Sequence, residues 1–454
     1  MRDLIADALK GHGADYVEVR IEESEHTGVA YRGRELDSLS RTSGLGGSVR
    51  AAVNGGWGFA SFNSLEGLKS NVDLAVRQAR LVGRDKTQLA AVEPVVDKVC
   101  PEIVKDPRSV SLSQKKRLVE EYTDVVYSLG DKIQTSVVNY RDTSSRLYYA
   151  NTDGAFIDTQ SIYVTGAIQA VARNNGDIQP NASSFSSTRD FGIFENRHDD
   201  VRRMAQAAVD MLSAQHVESG TYTVIVDPQL AGIFAHEAFG HLSEADDYAE
   251  NPHLRELMTL GRKFGGKHLN IIDGADIPGS GGSIKYDQEG VPKTPTYLIR
   301  EGELVGRLHS RESAVKMGET PTGNARAINY NHPPIVRMTN TYITPADATL
   351  EDMLSDVEDG LYVVDSMGGE TSGEMFTFSA REAFKIRNGK IAERVRGVNL
   401  TGNVFVTLEN IDAIGNDITW PKRGGGCGKG GQAPLPVGFA GPHFRIRNCV
   451  VGGK

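Results

Sequence analysis

The 454-residue sequence lacks three features: abundant cysteine, a long apolar run and an excess of positive charge. Its three cysteines are an odd number, which argues against a disulfide framework and favours a reducing compartment. No stretch of about 18 uninterrupted apolar residues occurs, and the first residues lack the apolar core of a signal peptide, so we expect a cytoplasmic protein without a membrane span. Fifty Lys and Arg against 59 Asp and Glu give a net charge of −9, so direct binding of nucleic acid is not expected.

What the sequence has in excess is glycine. Fifty of the 454 residues are glycine, about 11% against a usual value of about 7%. The remaining composition, with 39% hydrophobic and 24% charged residues, is that of a globular protein. The length predicts about two or three domains. The positions of the surplus glycines can therefore indicate turns and close backbone approaches.

Helical and strand periodicities predict an α+β fold of two domains. Residues 1–218 are expected to combine helices with a mixed sheet, and residues 219–454 to form a largely antiparallel β domain with a few helices. Turn signals at Glu301–Gly302 and Asn388–Gly389 predict hairpins in the second domain. The polar stretch 174–190, rich in Asn and Ser, predicts a flexible loop or a segment that becomes ordered on binding.

Two histidines flank a glutamate near the start of the second domain, at His236, Glu237 and His241. Histidines four residues apart on an α-helix can share one ion, whereas histidines five residues apart point about 140° away from each other. A straight helix would therefore not close a metal site. Gly240, directly before the second histidine, would let the backbone end, bulge or widen, and such distortions are frequent at functional sites.

Cys427 is the candidate that stands out as a third ligand. It lies in Arg423–Gln432, where six of ten residues are glycine, so little side-chain bulk would obstruct a metal that approaches the thiolate. A catalytic zinc site needs three protein ligands, an open position for water and a nearby base. We therefore interpret His236, His241 and Cys427 as zinc ligands. Glu237 is then the general base of an enzyme that hydrolyses peptide bonds.

The residues alone leave two other functions open. A zinc ion could stabilise a non-catalytic peptide-binding or partner subunit, although a structural site usually has four protein ligands and only three candidates are found. Alternatively, Cys427 could be the nucleophile of a thiol hydrolase with a histidine base. Among the residues left over, Cys100 and Cys449 lie beside valines and are expected in the core, and His443 is a reserve ligand.

A series of further motifs accompanies these residues. They are, in chain order, His236–His241 with Glu244–Asp246, Tyr286–Gly290, Gly323–Arg326, Arg337–Thr341 and Gly426–Lys429. With these motifs the sequence resembles the TldD/PmbA family of zinc metallopeptidases, and the likeness begins as early as Gly13–Glu18. The resemblance implies the same site that the residues indicate: two histidines and a cysteine as ligands of one Zn²⁺ per catalytic subunit, with Glu237 as the catalytic glutamate.

The resemblance also implies partners and substrates. This chain keeps the metal motif, which the PmbA or TldE partner type lacks, so it resembles the catalytic TldD type. Family members form two-subunit assemblies, and we expect a homodimer or a heterodimer with a PmbA/TldE-type paralogue. They cleave unfolded peptides that bind in extended form as an added strand. This binding mode suits a broad range of substrates, because main-chain hydrogen bonds do not read side chains.

Overall fold

Helices and strands occur along the whole chain, which confirms the predicted α+β class. The computed structural model describes residues 1–83, 88–274, 276–420, 423 and 425–453. None of the described helices is long and apolar enough to cross a membrane.

The N-terminal part is built around a seven-stranded sheet. Its helices and strands are α1 Arg2–Ala8, β1 Tyr16–Arg32, β2 Glu35–Val53, β3 Gly56–Phe62, α2 Leu68–Val82, β4 Val96–Val99, α3 Leu112–Tyr127, β5 Ile133–Asn151, β6 Phe156–Asn174, β7 Asp177–Ser187 and α4 His198–Met211. The strand order is β3-β2-β1-β5-β6-β4, and β7 pairs with β6. One hydrophobic core lies between α2 and strands β1 to β3, and a second lies between α3, α4 and strands β5 to β7.

The local sequence explains the helices that cover this sheet. Leu68, Val72 and Ala79 recur at helical spacing along α2, and all three are buried against the sheet. Helix α3 begins after Ser111, whose side chain accepts the backbone N–H of Gln114 in a reciprocal capping box. The apolar spacing thus accounts for the buried face of α2, and the capping box accounts for the start of α3.

The polar stretch 174–190 is not a loop for most of its length. Residues 177–187 form β7, which pairs with β6 in an unbroken antiparallel register from Asn174 opposite Asp177 to Val164 opposite Ser187. The two strands are joined through Asn175 and Gly176, whose φ angles of 45° and 89° belong to the left-handed region that tight hairpin turns require. The prediction of a flexible loop is therefore wrong, because ladder hydrogen bonds to β6 order a strand whose side chains are polar.

The C-terminal part contains most of the strands. Its helices and strands are β8 Gln215–His216, β9 Gly220–Val226, α5 Pro228–Phe234, α6 Asp246–Glu250, α7 Pro252–Leu257, β10 Ile271–Asp273, β11 Thr296–Arg300, β12 Glu303–Leu304, α8 Arg311–Met317, β13 Ala325–Arg326, β14 Ile335–Val336, β15 Asn340–Ile343, α9 Leu350–Ser355, β16 Asp359–Ser372, β17 Met375–Arg387, β18 Lys390–Arg396, β19 Asn399–Asn403, α10 Val404–Glu409, β20 Ile411–Ile414, β21 Gly425–Lys429, β22 Gln432–Ala440 and β23 Phe444–Gly452.

Two sheets of this part enclose its main core. In one, strands β9, β16, β17, β19 and β23 pair in a closed ring, since β16 pairs with β17 as well as with β9. The other has the order β12-β11-β10-β15-β22-β21. Helix α5 leaves the end of β9, and its apolar side chains join the core that both sheets share. The predicted hairpins at Glu301–Gly302 and Asn388–Gly389 are confirmed by the pairs β11–β12 and β17–β18.

The two cysteines outside the candidate site differ in burial. Cys449 lies in the C-terminal core, as expected. Cys100 is exposed, so the core prediction is wrong for this residue. The reason is its position just past β4, a four-residue strand with no buried side chain that pairs only with β6 among the described strands.

A buried ion-pair group joins the two parts of the chain. Arg50 on β2 lies 2.9 Å from Glu18 and 2.5 Å from Glu289, and all three side chains are nearly inaccessible to solvent. Glu289 belongs to the motif Tyr286–Gly290, and its second oxygen accepts the backbone N–H of Arg311. This motif therefore holds the N-terminal sheet against the C-terminal part.

Candidate metal centre

The segment that carries the two histidines is a widened helix. Helix α5 begins at Pro228 and is capped by Asp227, whose side chain accepts the N–H of Leu230. From Ala235 to Gly240 the helix continues as a π-helix. A π-helix has more residues per turn than an α-helix, so residues five apart face the same side. This confirms the expectation that an irregular backbone accommodates the histidine spacing.

Gly240 contributes to this segment by its size. Its φ of −58° and ψ of −49° are ordinary helical values, so no special backbone freedom is needed there. A Cβ at this position would lie 2.0 Å from Sδ of the buried Met338. The glycine is therefore required for the close packing of the π-helix against Met338, which lies in the connection between β14 and β15.

The structure brings the three predicted ligands together. The donor atoms of His236, His241 and Cys427 all lie within 4.8 Å of one another, and Nε2 of His241 is 3.4 Å from Sγ of Cys427. His236 and Cys427 are buried, and Nδ1 of His236 has no hydrogen-bond partner among the described residues. Two imidazole nitrogens and one thiolate form a donor set that suits zinc. The residues present therefore fit the metal that the sequence implies.

Electrostatic interactions within the cluster stabilise the thiolate form of Cys427. Burial alone would raise the pKa of the Cys427 thiol, but the charges of and hydrogen bonds to His236 and His241 lower it to about 5. Burial would also lower the pKa of His241, yet its hydrogen bonds to Cys427 and Glu244 raise it to about 11. The thiolate is thus stabilised by a neighbouring positive charge, which a divalent metal ion supplies when bound.

Glu237 lies at the edge of the cluster. Its Oε2 is 3.9 Å from Nε2 of His241, and its side chain is 27% exposed. The carboxylate is therefore close to the predicted ligand atoms while it remains accessible to water.

A second carboxylate, which the sequence analysis did not assign a role, lies on the other side of His241. Glu244 is completely buried, and its Oε2 is 3.0 Å from Nδ1 of His241. Burial alone would raise the pKa of Glu244, but His241 and Lys429 lower it. The sequence spacing could have indicated that Glu244 contacts His241, because Glu244 follows the second histidine by three positions, about one helical turn.

Cys427 lies on a strand rather than in a loop. Strand β21 pairs with β22, and Cys427 is opposite Leu435. Gly424 of the predicted glycine-rich loop lies outside the described residues. The fully buried Arg337 donates to the backbone oxygens of Cys427 at 2.7 Å and Gln432 at 3.1 Å. This arginine, from the motif Arg337–Thr341, therefore fixes the hairpin that carries the cysteine.

The reserve ligand His443 does not join the cluster. Its Nδ1 is 2.5 Å from Oδ2 of Asp417, and its Nε2 is 3.0 Å from the hydroxyl of Tyr362. A cavity of about 1150 Å³ lies between helix α4 and strands β16 and β17, and none of the three predicted ligands lines it.

Three family models match consecutive parts of the chain. Domain 1 of the PmbA/TldA metallopeptidases matches residues 17–81, their central domain matches residues 105–215, and their C-terminal domain matches residues 219–453.

Individual proteins resemble the chain over nearly its full length. A metalloprotease of Synechocystis is 47% identical over 441 residues, which cover 97% of this chain and 95% of that protein. A protein of Saccharolobus solfataricus named zinc metalloprotease TldD homolog is 29% identical over 415 residues, 90% of each chain. The crystal structure of TldE from Thermococcus kodakarensis has a TM-score of 0.79 at 17% identity and covers 100% of both chains, which shows a shared fold.

Proposed function

The chain belongs to the TldD/PmbA family of metallopeptidases, and on that basis we propose that it is a zinc peptidase of the catalytic TldD type. One zinc ion per subunit would be held by His236, His241 and Cys427. The observation that carries the proposal is the convergence of these three donors within 4.8 Å, next to the accessible carboxylate of Glu237.

The number of donors supports catalysis rather than a structural role. Structural zinc sites are usually closed by four protein ligands, whereas catalytic sites use three and keep one position open. The cluster in the described part of the chain comprises three residues. Bound there, zinc would supply Lewis-acid polarisation of a peptide carbonyl and of water.

The protein side chains would supply the proton transfers. Glu237 would accept a proton from the attacking water and then donate it to the amine that leaves when the peptide bond breaks. Glu244 would accept the Nδ1 proton of His241 and so keep Nε2 directed at the metal. The Glu237 carboxylate is accessible to solvent, whereas that of Glu244 is completely buried, so we assign the acid–base role to Glu237.

We propose unfolded peptides in extended form as substrates. An extended peptide can add to a free strand edge through main-chain hydrogen bonds. Strand β21, which carries Cys427, is the terminal strand of its sheet within the described residues. The active assembly would be a cytoplasmic homodimer or a heterodimer with a PmbA/TldE-type paralogue, and the similarity to TldE in fold supports such pairing.

The first experiment tests the base. Glu237→Gln should retain zinc but lose cleavage of an unfolded peptide panel, because the amide cannot accept the proton. Glu120→Gln on the exposed face of α3 serves as the control and should cleave normally. Wild-type cleavage by Glu237→Gln would refute the assignment. A parent chain that binds zinc and cleaves no peptide, alone or with a TldE-type partner, would instead favour a non-catalytic zinc-stabilised subunit.

The second experiment tests the ligands. Cys427→Ser should lose zinc in elemental analysis of the purified protein, since the thiolate is replaced by a hydroxyl that ionises far less readily. Cys449→Ser is a matched control, because Cys449 is also buried in the C-terminal core but lies outside the cluster. Full zinc occupancy in Cys427→Ser would remove Cys427 from the ligand set. Activity that returns with zinc after chelation would exclude a thiol hydrolase.

A further inference from the structure

We infer that Lys429 is a positioning residue for the metal centre. It would hold Glu244 in place behind His241 and attach the strand that carries Cys427 to the segment that carries the histidines. The inference rests on the proposed function, because it takes His241 and Cys427 to be ligands.

Lys429 lies among three carboxylates. Its Nζ is 3.2 Å from Oε2 of Glu244, 2.6 Å from Oδ1 of Asp246 and 3.3 Å from Oδ2 of Asp247. The Lys429 side chain is only 14% exposed, and that of Glu244 is 0% exposed. A carboxylate that is removed from water needs a compensating charge and hydrogen bonds to remain ionised. Among the described residues, Lys429 is the lysine that supplies this charge to Glu244.

Glu244 contacts both Lys429 and the proposed metal ligand His241. The oxygen that faces Lys429, Oε2, is also the one that lies 3.0 Å from Nδ1 of His241. The other oxygen, Oε1, accepts the backbone N–H of Met338 at 3.3 Å. A carboxylate that accepts the Nδ1 proton fixes the tautomer and orientation of a metal-binding histidine. The lone pair of Nε2 is then directed towards Cys427, 3.4 Å away.

Lys429 also positions Cys427, because both residues belong to strand β21. Lys429 and Cys427 are two residues apart on β21, and although the pairing with β22 shifts register between them, both side chains contact the segment His241–Asp246. The ammonium group also lies 3.4 Å from the backbone oxygen of Val336. Contacts with residues 244–247 thus anchor β21 next to the histidine-bearing segment. Lys429 therefore acts on His241 through Glu244 and on Cys427 through the backbone.

The test compares two buried lysines. Lys429→Met keeps much of the apolar stem and removes the charge, and we expect it to weaken zinc binding about 10–100-fold, the usual cost of losing an outer partner of a metal ligand. Lys429→Arg keeps the charge and should recover most of that affinity. Lys115→Met is the matched control, because Lys115 forms a buried pair with Asp142 at 2.5 Å, with side chains 4% and 5% exposed, in the other part of the chain. It should bind zinc like the parent.

Zinc affinity is measured on the full-length, metal-stripped chain by competition with a chromophoric chelator. The visible spectrum of the Co²⁺-substituted protein reports thiolate ligation independently of peptide cleavage. Parent-like affinity and an unchanged Co²⁺ spectrum in Lys429→Met would overturn the inference and leave the proposed function intact. An equal loss of affinity in Lys115→Met would also overturn it, since general destabilisation would then explain the effect. A parent chain that binds no zinc would overturn both.

Discussion

A substitution of Asp227 measures what a partly buried charge at the start of the metal-binding helix costs in folding free energy. Its Oδ1 accepts the backbone N–H of Leu230 at 2.8 Å, which caps α5, and that of Asp365 at 3.0 Å. Burial, together with the charge of the nearby Asp365 carboxylate, raises the pKa of Asp227 from 3.8 to about 6 despite these two hydrogen bonds. We predict that Asp227→Asn stabilises the protein at neutral pH.

The sign and size follow from proton linkage. The folded state binds the proton of Asp227 more tightly than the unfolded chain, so ionisation costs folding free energy above pH 6, and this cost disappears as the pH falls towards 3.8. A pKa difference of about two corresponds to ~3 kcal/mol. Because the side chain borders the open cavity and is only partly buried, solvent screening reduces the expected gain to about 1.5 kcal/mol. Asparagine keeps the acceptor oxygen and caps helices as well as aspartate does.

The assay is urea unfolding of the metal-stripped protein, followed by circular dichroism at pH 8 and at pH 4.5. The free energy of unfolding of Asp227→Asn should exceed that of the parent at pH 8, and the difference should fall by about half at pH 4.5. Asp227→Ala, which loses the cap, should be less stable than Asp227→Asn by about 1 kcal/mol at both pH values. No gain at pH 8, or an equal gain at both pH values, would refute the reasoning.

Two further substitutions test the packing around Gly240 and the buried ion pairs of Arg50 that join the N-terminal and C-terminal parts. Gly240→Ala places a Cβ 2.0 Å from Sδ of Met338. We expect this substitution to lower the free energy of unfolding by about 1–3 kcal/mol and to weaken zinc binding. Both effects should be smaller in the Gly240→Ala/Met338→Ala double variant, which removes the clashing side chain. Chelator competition and urea unfolding measure the two effects, and normal behaviour of Gly240→Ala alone would contradict this. Arg50→Met leaves the buried carboxylates of Glu18 and Glu289 without their counter-charge, and urea unfolding should show a loss of about 3–5 kcal/mol. A loss below about 1 kcal/mol would show that these carboxylates are compensated elsewhere.

The convergence of the metal ligands was predictable because their chemistry is restrictive. Few residue types bind zinc, and a histidine pair at a spacing that a regular helix cannot use already requires a distorted backbone. The structure supplies that distortion as a π-helix over Ala235–Gly240. The hairpins at Glu301–Gly302 and Asn388–Gly389 were predictable for a similar reason, since their turn residues are specific to tight hairpins.

The features that the sequence did not reveal depend on partners far along the chain. Strand β7 has mostly polar side chains, and its ladder to β6 identifies it as a strand, although Asn175–Gly176 was an available turn signal. Cys100 has an apolar neighbour in sequence but is exposed, because it directly follows a short strand without a buried side chain. The contact between Lys429 and Glu244 joins residues 185 positions apart, and no local pattern predicts such a pair.

The glycines around Cys427 are better explained by packing than by open access to the thiolate. A Cβ on Gly425 would lie 2.5 Å from the ring of Phe439, and one on Gly426 would lie 2.7 Å from Cβ of Pro434. The space next to these glycines is thus filled by side chains of β22. The ring of Phe439 lies in turn 6.3 Å from that of His236. Because Gly425 admits Phe439, and Phe439 packs against His236, the glycine-rich strand helps to position a histidine ligand as well as the cysteine.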